Sequence, residues 1–353
     1  MRVTIKQIAI EAGVSRGAVD KVIHNRPGIS DEVRKRIQET IKRLGYTPNK
    51  AARALLSSRH ETIFAVVMPE LDNTFFASVQ KGMKKAVKTL GLDEYGIKLE
   101  FYYYDVLCKE KLIAILDYLK NRNIQGLIIR GIQNDELEQS LMELREKNIP
   151  IVTYDSDIPN IDRLCFIGED NLKSGRIAAS LMVKSINKHG SIAVFLGSDS
   201  VIAHKRRVQG FKEYIKENTS NVNIVGVFQT HEQNFITKSL IESVLNSYPD
   251  LNGIYNAAGC SDIIADEVKK TNRDIRLITY NFSPEIVKYV KCKTIDFTIG
   301  LSPFKQGFLS VQILFNYVLF NEKPDNDVMH IQVSIGIDEN IDVFLKQDML
   351  DAL

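Results

Sequence analysis

Between residues 4 and 44 the apolar positions recur every three to four residues. Ile5, Ile8, Ala9 and Ala12 form one stripe, Val19, Val22 and Ile23 a second, and Val33, Ile37, Ile41 and Leu44 a third. Each stripe is bounded by helix punctuation. Thr4 with Gln7 three residues on is a capping box. Gly13 ends the first helix, because a tight exit needs the left-handed backbone that glycine tolerates. Ser15 caps the second helix. Ser30 caps the third, with Asp31 and Glu32 in its positive first turn, and Gly45 ends it. Two short helices joined at Gly13 have helix-turn-helix spacing. An ordinary helical hairpin has that spacing too.

Beyond residue 60 the period changes. Short apolar runs occur at Ile63–Met68, Leu99–Tyr104, Gly126–Arg130, Pro150–Tyr154, Cys165–Gly168, Ile192–Leu196, Ile224–Phe228, Gly253–Asn256, Leu277–Asn281 and Phe297–Gly300. Amphipathic stretches separate most of them, at 75–90, 109–121, 135–147, 172–187, 205–217, 235–247, 261–271 and 304–320. Alternating strand and helix predicts parallel sheets covered on both faces. So many units fit two doubly wound lobes better than one. The fold class is therefore an all-α helix-turn-helix head plus an α/β body. Ligands of such sheets bind outside the carboxyl ends of the strands, and two facing lobes make a cleft there.

A length of 353 residues allows two or three folded units. No apolar run reaches the length of a membrane span, and Met1–Thr4 leads directly into the first helix without an apolar leader. Cys108, Cys165, Cys260 and Cys292 are scattered and form no CxxC pair, so neither a zinc site nor a disulfide framework is expected. A reducing cytoplasm fits, and no metal or cofactor is anticipated. The net charge of +2 hides an asymmetry: residues 1–60 carry +8 and the remainder −6. A basic head on a mildly acidic body is the electrostatic footprint of a nucleic-acid-binding module joined to a separate sensor.

The run TIKQIAIEAGVSRGAVDKVIHNRPGISDEVRKRIQETIKRLGYTPNKAARAL, with its AGVS turn at Ala12–Ser15, Val19, Val22 and the LGYTPN run at Leu44–Asn49, resembles the DNA-binding module of the lactose-repressor family of bacterial transcription regulators. The resemblance spans Val3 to about Leu56. It implies a head at 1–48, a hinge helix and linker at 49–61, and a ligand-binding and dimerisation domain at 62–353. The second helix would enter the major groove, with Arg16 and Gly17 at the main reading positions and Lys21 at a third. Further DNA contacts are implied for Thr4, Ser15, His24, Asn25, Tyr46, Asn49, Ala52, Arg53 and Leu55. Arginine can donate two hydrogen bonds to guanine, whereas an intrahelical pair with Asp20 is the alternative use of Arg16. Gly17 departs from the family pattern, since it offers no side chain to a base. Leu55 would wedge into the minor groove when the hinge folds on DNA. A plain linker helix is the alternative.

The body resembles the sugar-binding-protein fold, of the periplasmic binding protein type, that serves as the sensor in the same family. The matching stretches are NTFF at Asn73–Phe76, YDSDIP at Tyr154–Pro159, IGEDNLKSG at Ile167–Gly175, RVQGF at Arg207–Phe211 and FTIGLSPFKQG at Phe297–Gly307. The resemblance implies an N-lobe of 62–158 plus 288–321 and a C-lobe of 159–287 plus 322–353. It places Asn73, Phe75, Phe76, Asp155, Arg207 and Asn281 on the ligand. Phe75 and Phe76 would stack on a sugar ring or pack in the first turn of their helix. Arg207 would donate to ligand oxygens or form a salt bridge to Asp199 or Glu213. Ala258 and Leu301 stand where relatives carry Asn and Gln, and Asn256 is a possible substitute for the lost amide. Two apolar replacements argue for a less polar or modified carbohydrate or polyol.

These features predict a ligand-responsive DNA-binding regulator, a repressor acting as a homodimer on a palindromic operator. Other readings are a regulator answering a non-sugar metabolite, a sugar-binding module, and an enzyme of the same fold. No P-loop, GxGxxG after a strand, or GxSxG elbow supports the last.

Overall fold

The structure, a computed structural model, describes residues 3–23, 27–44, 61–70, 74–105 and 108–344. The head contains α1 (Ile5–Ala12), α2 (Arg16–Ile23) and α3 (Asp31–Leu44). The capping box forms as its residues dictate: Gln7 N donates to Thr4 Oγ1 at 3.3 Å, and Thr4 N donates to Gln7 Oε1 at 2.8 Å. Gly13 closes α1 at φ 61°. Ala18 N donates to Ser15 Oγ at 3.1 Å at the start of α2. Ile8, Ala9, Ala12, Val19, Val22 and Ile37 form the small core. Three short helices that bury one stripe each are stable only together.

The body holds two six-stranded sheets. In chain order its elements are β1 (Thr62–Pro69), α4 (Thr74–Leu90), β2 (Ile97–Tyr104), α5 (Lys109–Lys120), β3 (Gly126–Arg130), α6 (Asp135–Glu146), β4 (Ile151–Tyr154), β5 (Cys165–Gly168), α7 (Asn171–Ser185), β6 (Gly190–Leu196), α8 (Ile202–Asn218), β7 (Val222–Gln229), α9 (Asn234–Ser247), β8 (Leu251–Asn256), α10 (Ser261–Lys270), β9 (Arg276–Tyr280), α11 (Pro284–Lys291), β10 (Phe297–Gly300), α12 (Pro303–Phe320), β11 (Val328–His330) and β12 (Ser334–Gly336). The orders are β11-β5-β4-β3-β1-β2 and β12-β10-β9-β8-β6-β7. The first five strands of each lobe are parallel and wound identically. β3, β4 and β5 are buried along their whole length, as strands covered on both faces must be.

This topology corrects the expected lobe bounds. β5, at 165–168, completes the first sheet, so the N-lobe does not end at 158. β10, at 297–300, belongs to the second sheet, so 288–300 lies in the C-lobe. β11 then returns to the first sheet beside β5, while β12 pairs antiparallel with β10. The chain crosses between lobes after β5, after β10 and between β11 and β12. The apolar pattern did not mark β11, β12 or α11: the two strands are three residues long and only partly buried, and α11 is two turns.

In each lobe two helices cross with backbones nearly touching. A Cβ at Gly82 of α4 would collide with the Phe304 carbonyl of α12, and one at Gly307 with that of Val79. In the other lobe a Cβ at Gly175 of α7 would collide with the Arg207 carbonyl of α8, and one at Gly210 with that of Leu172. The absent side chains let α8 lie deep enough to bring Arg207 under the strand ends. No helix among the described residues is long and apolar enough to cross a membrane.

Candidate functional site

On the head, α2 buries Val19 and Val22 and leaves Arg16, Gly17 and Lys21 exposed on its other side. Its exposed face and first turn are therefore available to a groove. Thr4 and Ser15, both exposed, flank the same turn. His24, Asn25, Tyr46, Asn49, Ala52, Arg53, Leu55 and, in the body, Asn73 lie outside the described residues.

The second site is a cleft of about 570 Å³ between the lobes, the size of a small-molecule pocket. It lies at the carboxyl ends of both sets of strands, where the topology requires it. Phe75 and Phe76 in the first turn of α4 line it, with rings packed edge to face at 5.1 Å. Both belong to the core cluster and also line the cleft, so the first-turn packing is met. Asp155 follows β4 and Asn281 follows β9, the corresponding strand of the other lobe. Both take left-handed backbone, at φ 61° and 81°, which Asp and Asn tolerate better than most side chains. Their amides donate to equivalent strand carbonyls, Asp155 N to Ile167 O at 3.0 Å and Asn281 N to Ile299 O at 2.9 Å. Ala258 and Leu301 also line the cleft and are buried, so the wall is apolar there.

Arg207 is on the cleft wall, but its expected salt-bridge partners are not its partners. Its Nε donates to Glu169 Oε1 at 2.6 Å and its Nη1 to Ala257 O at 3.0 Å, and the guanidinium lies 4.2 Å above the Tyr280 ring. Asp199 and Glu213 lie toward solvent, whereas Glu169, just after β5, is carried under α8 by the lobe crossover. Asn256 is corrected as well. It is fully buried off the cleft wall, and its Nδ2 donates to Ala258 O, Gly259 O and Ser261 Oγ, fixing the loop into α10.

Residues that the sequence did not single out complete the site. Arg130 ends β3, and its Nε donates to Asp155 Oδ2 at 2.7 Å. Its Nη1 lies 3.6 Å from Glu232 Oε2, contributed by the other lobe. The guanidinium also sits 5.0 Å from the centre of the Phe76 ring. Burial opposes its charge, but the carboxylates of Asp155 and Glu232 outweigh that and hold it protonated beyond the usual arginine range. His204 is buried beside both arginines; burial, then Arg130 and Arg207, push its pKa well below 6.5, so it is neutral. Burial raises the Glu169 pKa, and Arg207 opposes the rise. A strand-final position was the signal that could have found Arg130. Glu232 follows β7 in an otherwise polar loop, which marks nothing.

The lobes also touch beside the cleft. Gln133 N donates to Ser200 O at 2.7 Å, and Ala203 N to Ser156 Oγ at 3.3 Å. Gln306 ties the crossing after β10 to the end of β4, its Oε1 accepting from Asp155 N at 3.0 Å and its Nε2 donating to Leu301 O at 2.7 Å. Among the described residues, Arg207 Nη2 and Asn281 Oδ1, on residues that line the cleft, belong to the buried side-chain atoms without a hydrogen-bond partner, as do Glu169 Oε2 and Asn256 Oδ1 behind it. No group of acids, histidines or cysteines among the described residues is arranged to hold a metal ion.

A helix-turn-helix head joined to a body of two parallel-sheet lobes defines the class by fold. Residues 4–49 match the family model for bacterial regulatory proteins of the lacI family, and residues 64–322 match that of a periplasmic binding protein domain. The chain belongs to the periplasmic binding protein domain family over most of its length, and its head matches the lacI family of bacterial regulatory proteins. It is 29% identical over 224 residues to the HTH-type transcriptional regulator DegA of Bacillus subtilis (strain 168), covering 62% of each chain. The chain thus spans 62% of the length of that relative. Among solved structures, the fold is similar to GanP, a glucose-galactose binding protein from Geobacillus stearothermophilus, with a TM-score of 0.72, 24% identity, and coverage of 80% of this chain and 99% of the other. It is also similar to a putative LacI transcriptional regulator from Bacteroides fragilis, with a TM-score of 0.73, 22% identity, and coverage of 80% and 99%.

Proposed function

We propose that this protein is a DNA-binding transcription regulator, a repressor, whose operator affinity is set by a small carbohydrate-like effector held between its lobes. The observation that carries the effector reading is the cleft itself: Phe75 and Phe76 line it together with Arg207 and Asn281, whose Nη2 and Oδ1 lack partners in the protein. Aromatic faces beside a single donor and a single acceptor suit the alternating apolar and hydroxyl surface of a sugar or polyol. Ala258 and Leu301 favour a ligand with fewer hydroxyls on one side. The protein acts as a homodimer in the cytoplasm, because two-fold palindromes need two heads. Phe75, Phe76, Asp155, Arg207 and Asn281 bind the effector, and Arg16 and Lys21 contact the operator. The ligand acts by its differential affinity for two lobe orientations. No catalytic step is proposed.

Selection of duplexes from a random pool by the full-length protein, followed by titration at several salt concentrations, tests the DNA half. A palindromic consensus and a steep fall of log affinity with log salt are expected. A thermal-shift panel of sugars and polyols, repeated on the protein–duplex complex, tests the effector half. Recovery of no preferred duplex, with or without ligands, would falsify the reading.

A further inference from the structure

We propose that Glu232 is a specificity-determining residue of the cleft: by clamping the Arg130 guanidinium from the opposite lobe, it confines the effector to uncharged polyhydroxyl compounds and shuts out phosphorylated or carboxylated ones. This rests on the reading of the cleft as the effector site.

Glu232 is held in place by its loop. His231 and Glu232 both take left-handed backbone, at φ 52° and 55°, which turns the chain sharply after β7. Thr230 N donates to Leu196 O at 2.8 Å and His231 N to Gly197 O at 2.7 Å, pinning the turn to the end of β6. Glu232 N donates to Thr230 Oγ1 at 3.3 Å. Two glycines clear the path of the side chain. A Cβ at Gly197 would lie 2.7 Å from Glu232 Cγ, and one at Gly259 would lie 3.0 Å from Glu232 Oε1. The carboxylate therefore reaches Arg130 across the cleft, and its side chain is only 10% exposed.

The consequence is electrostatic. A buried, unneutralised arginine is the natural anchor for a phosphate or carboxylate. Neither arginine here is in that state. Arg130 carries Asp155 on Nε and Glu232 beyond Nη1, and Arg207 carries Glu169. The lining adds Asp262 and Glu285 in the first turns of α10 and α11, where they offset the positive helix ends, and among its described residues it has no lysine. An anionic ligand would bring like charge into a low-dielectric space without a free cation to meet it. Hydroxyls, in contrast, accept from Arg207 Nη2 and donate to Asn281 Oδ1.

The test compares the full-length wild type with Glu232→Gln and Glu232→Ala. Inorganic phosphate, five aldoses and their phosphate esters are titrated by calorimetry, with chloride at equal ionic strength as the reference. Any phosphate affinity of the basic head is common to all three proteins and cancels. Each variant is expected to bind inorganic phosphate at least about tenfold more tightly than the wild type, which should bind every ester more weakly than its neutral parent. Equal phosphate binding by the wild type and Glu232→Gln overturns the proposal, as does an ester that outbinds its parent on the wild type. If Glu232→Ala does not fold, the isosteric Glu232→Gln carries the comparison alone. A gain of phosphate binding by Glu232→Gln with no neutral sugar bound to the wild type supports the clamp and sinks the sugar reading.

Discussion

Arg207 donates to Glu169 at 2.6 Å with both side chains nearly inaccessible to water, and Glu169 sits where the chain passes from one lobe to the other. Glu169 follows β5 of the first sheet and Arg207 rides on α8 in the lobe of the second, so the pair joins the first lobe crossing to a helix that lines the cleft through Arg207. Removing the arginine strands a buried carboxylate. Arg207→Ala is expected to cost about 3–5 kcal/mol of stability in calorimetry, and to abolish the effector response while the separately folded head still binds operator. An unchanged melting transition would mean that water reaches Glu169 freely.

His204 gives a pH signature. The folded protein keeps it neutral well below 6.5, through burial first and the two arginines second. The unfolded chain takes up a proton as pH falls through about 6.5, so the unfolded state binds more protons there. Stability from this group is complete above that pH and is lost below it, by up to about 1.4 kcal/mol per pH unit. His204→Gln should flatten the fall of the urea midpoint between about pH 6.5 and 5. Parallel profiles for variant and wild type would count against a neutral, buried imidazole.

The helix crossings in the two lobes should be intolerant of a single methyl. Gly175→Ala sets a Cβ against the Arg207 backbone and is expected to destabilise by about 1–3 kcal/mol, because the packed helices must move apart. That shift also displaces Arg207, so effector affinity should drop with stability. Full affinity in a folded Gly175→Ala protein would show that α8 need not lie so deep.

Adding polarity to the cleft tests the reading of its apolar wall. Ala258→Asn with Leu301→Gln puts amides at two buried wall positions. If the natural effector has fewer hydroxyls on that side, the double variant should bind fully hydroxylated aldoses more tightly, by about 0.5–1.5 kcal/mol per hydrogen bond formed, and the natural effector more weakly. A panel that shifts uniformly in one direction would remove the argument from these two residues.

On DNA, Arg16→Ala should reduce operator affinity by about 1–3 kcal/mol with little loss on random duplex, because a base contact discriminates while a phosphate contact does not. Equal losses on both would assign Arg16 to the backbone.

Local rules were enough for the head. Thr4, Gly13 and Ser15 satisfy their own neighbours' backbone groups, and the stripe through Ile8, Val19 and Ile37 meets within a few tens of residues. The strand and helix alternation of the body was equally plain, since parallel strands buried on both faces read as continuous apolar runs. Asp155 and Asn281 could be read because they sit at strand ends, where the doubly wound fold collects its ligands. Tertiary structure alone decided which lobe owned β5, β10 and β11, because an apolar run states that a strand is buried and not which sheet buries it. It alone joined Arg130 to Glu232 and Arg207 to Glu169. The partners in these pairs lie far apart along the chain, and the Coulomb and desolvation terms that fix each pair exist only once two lobes have closed around it.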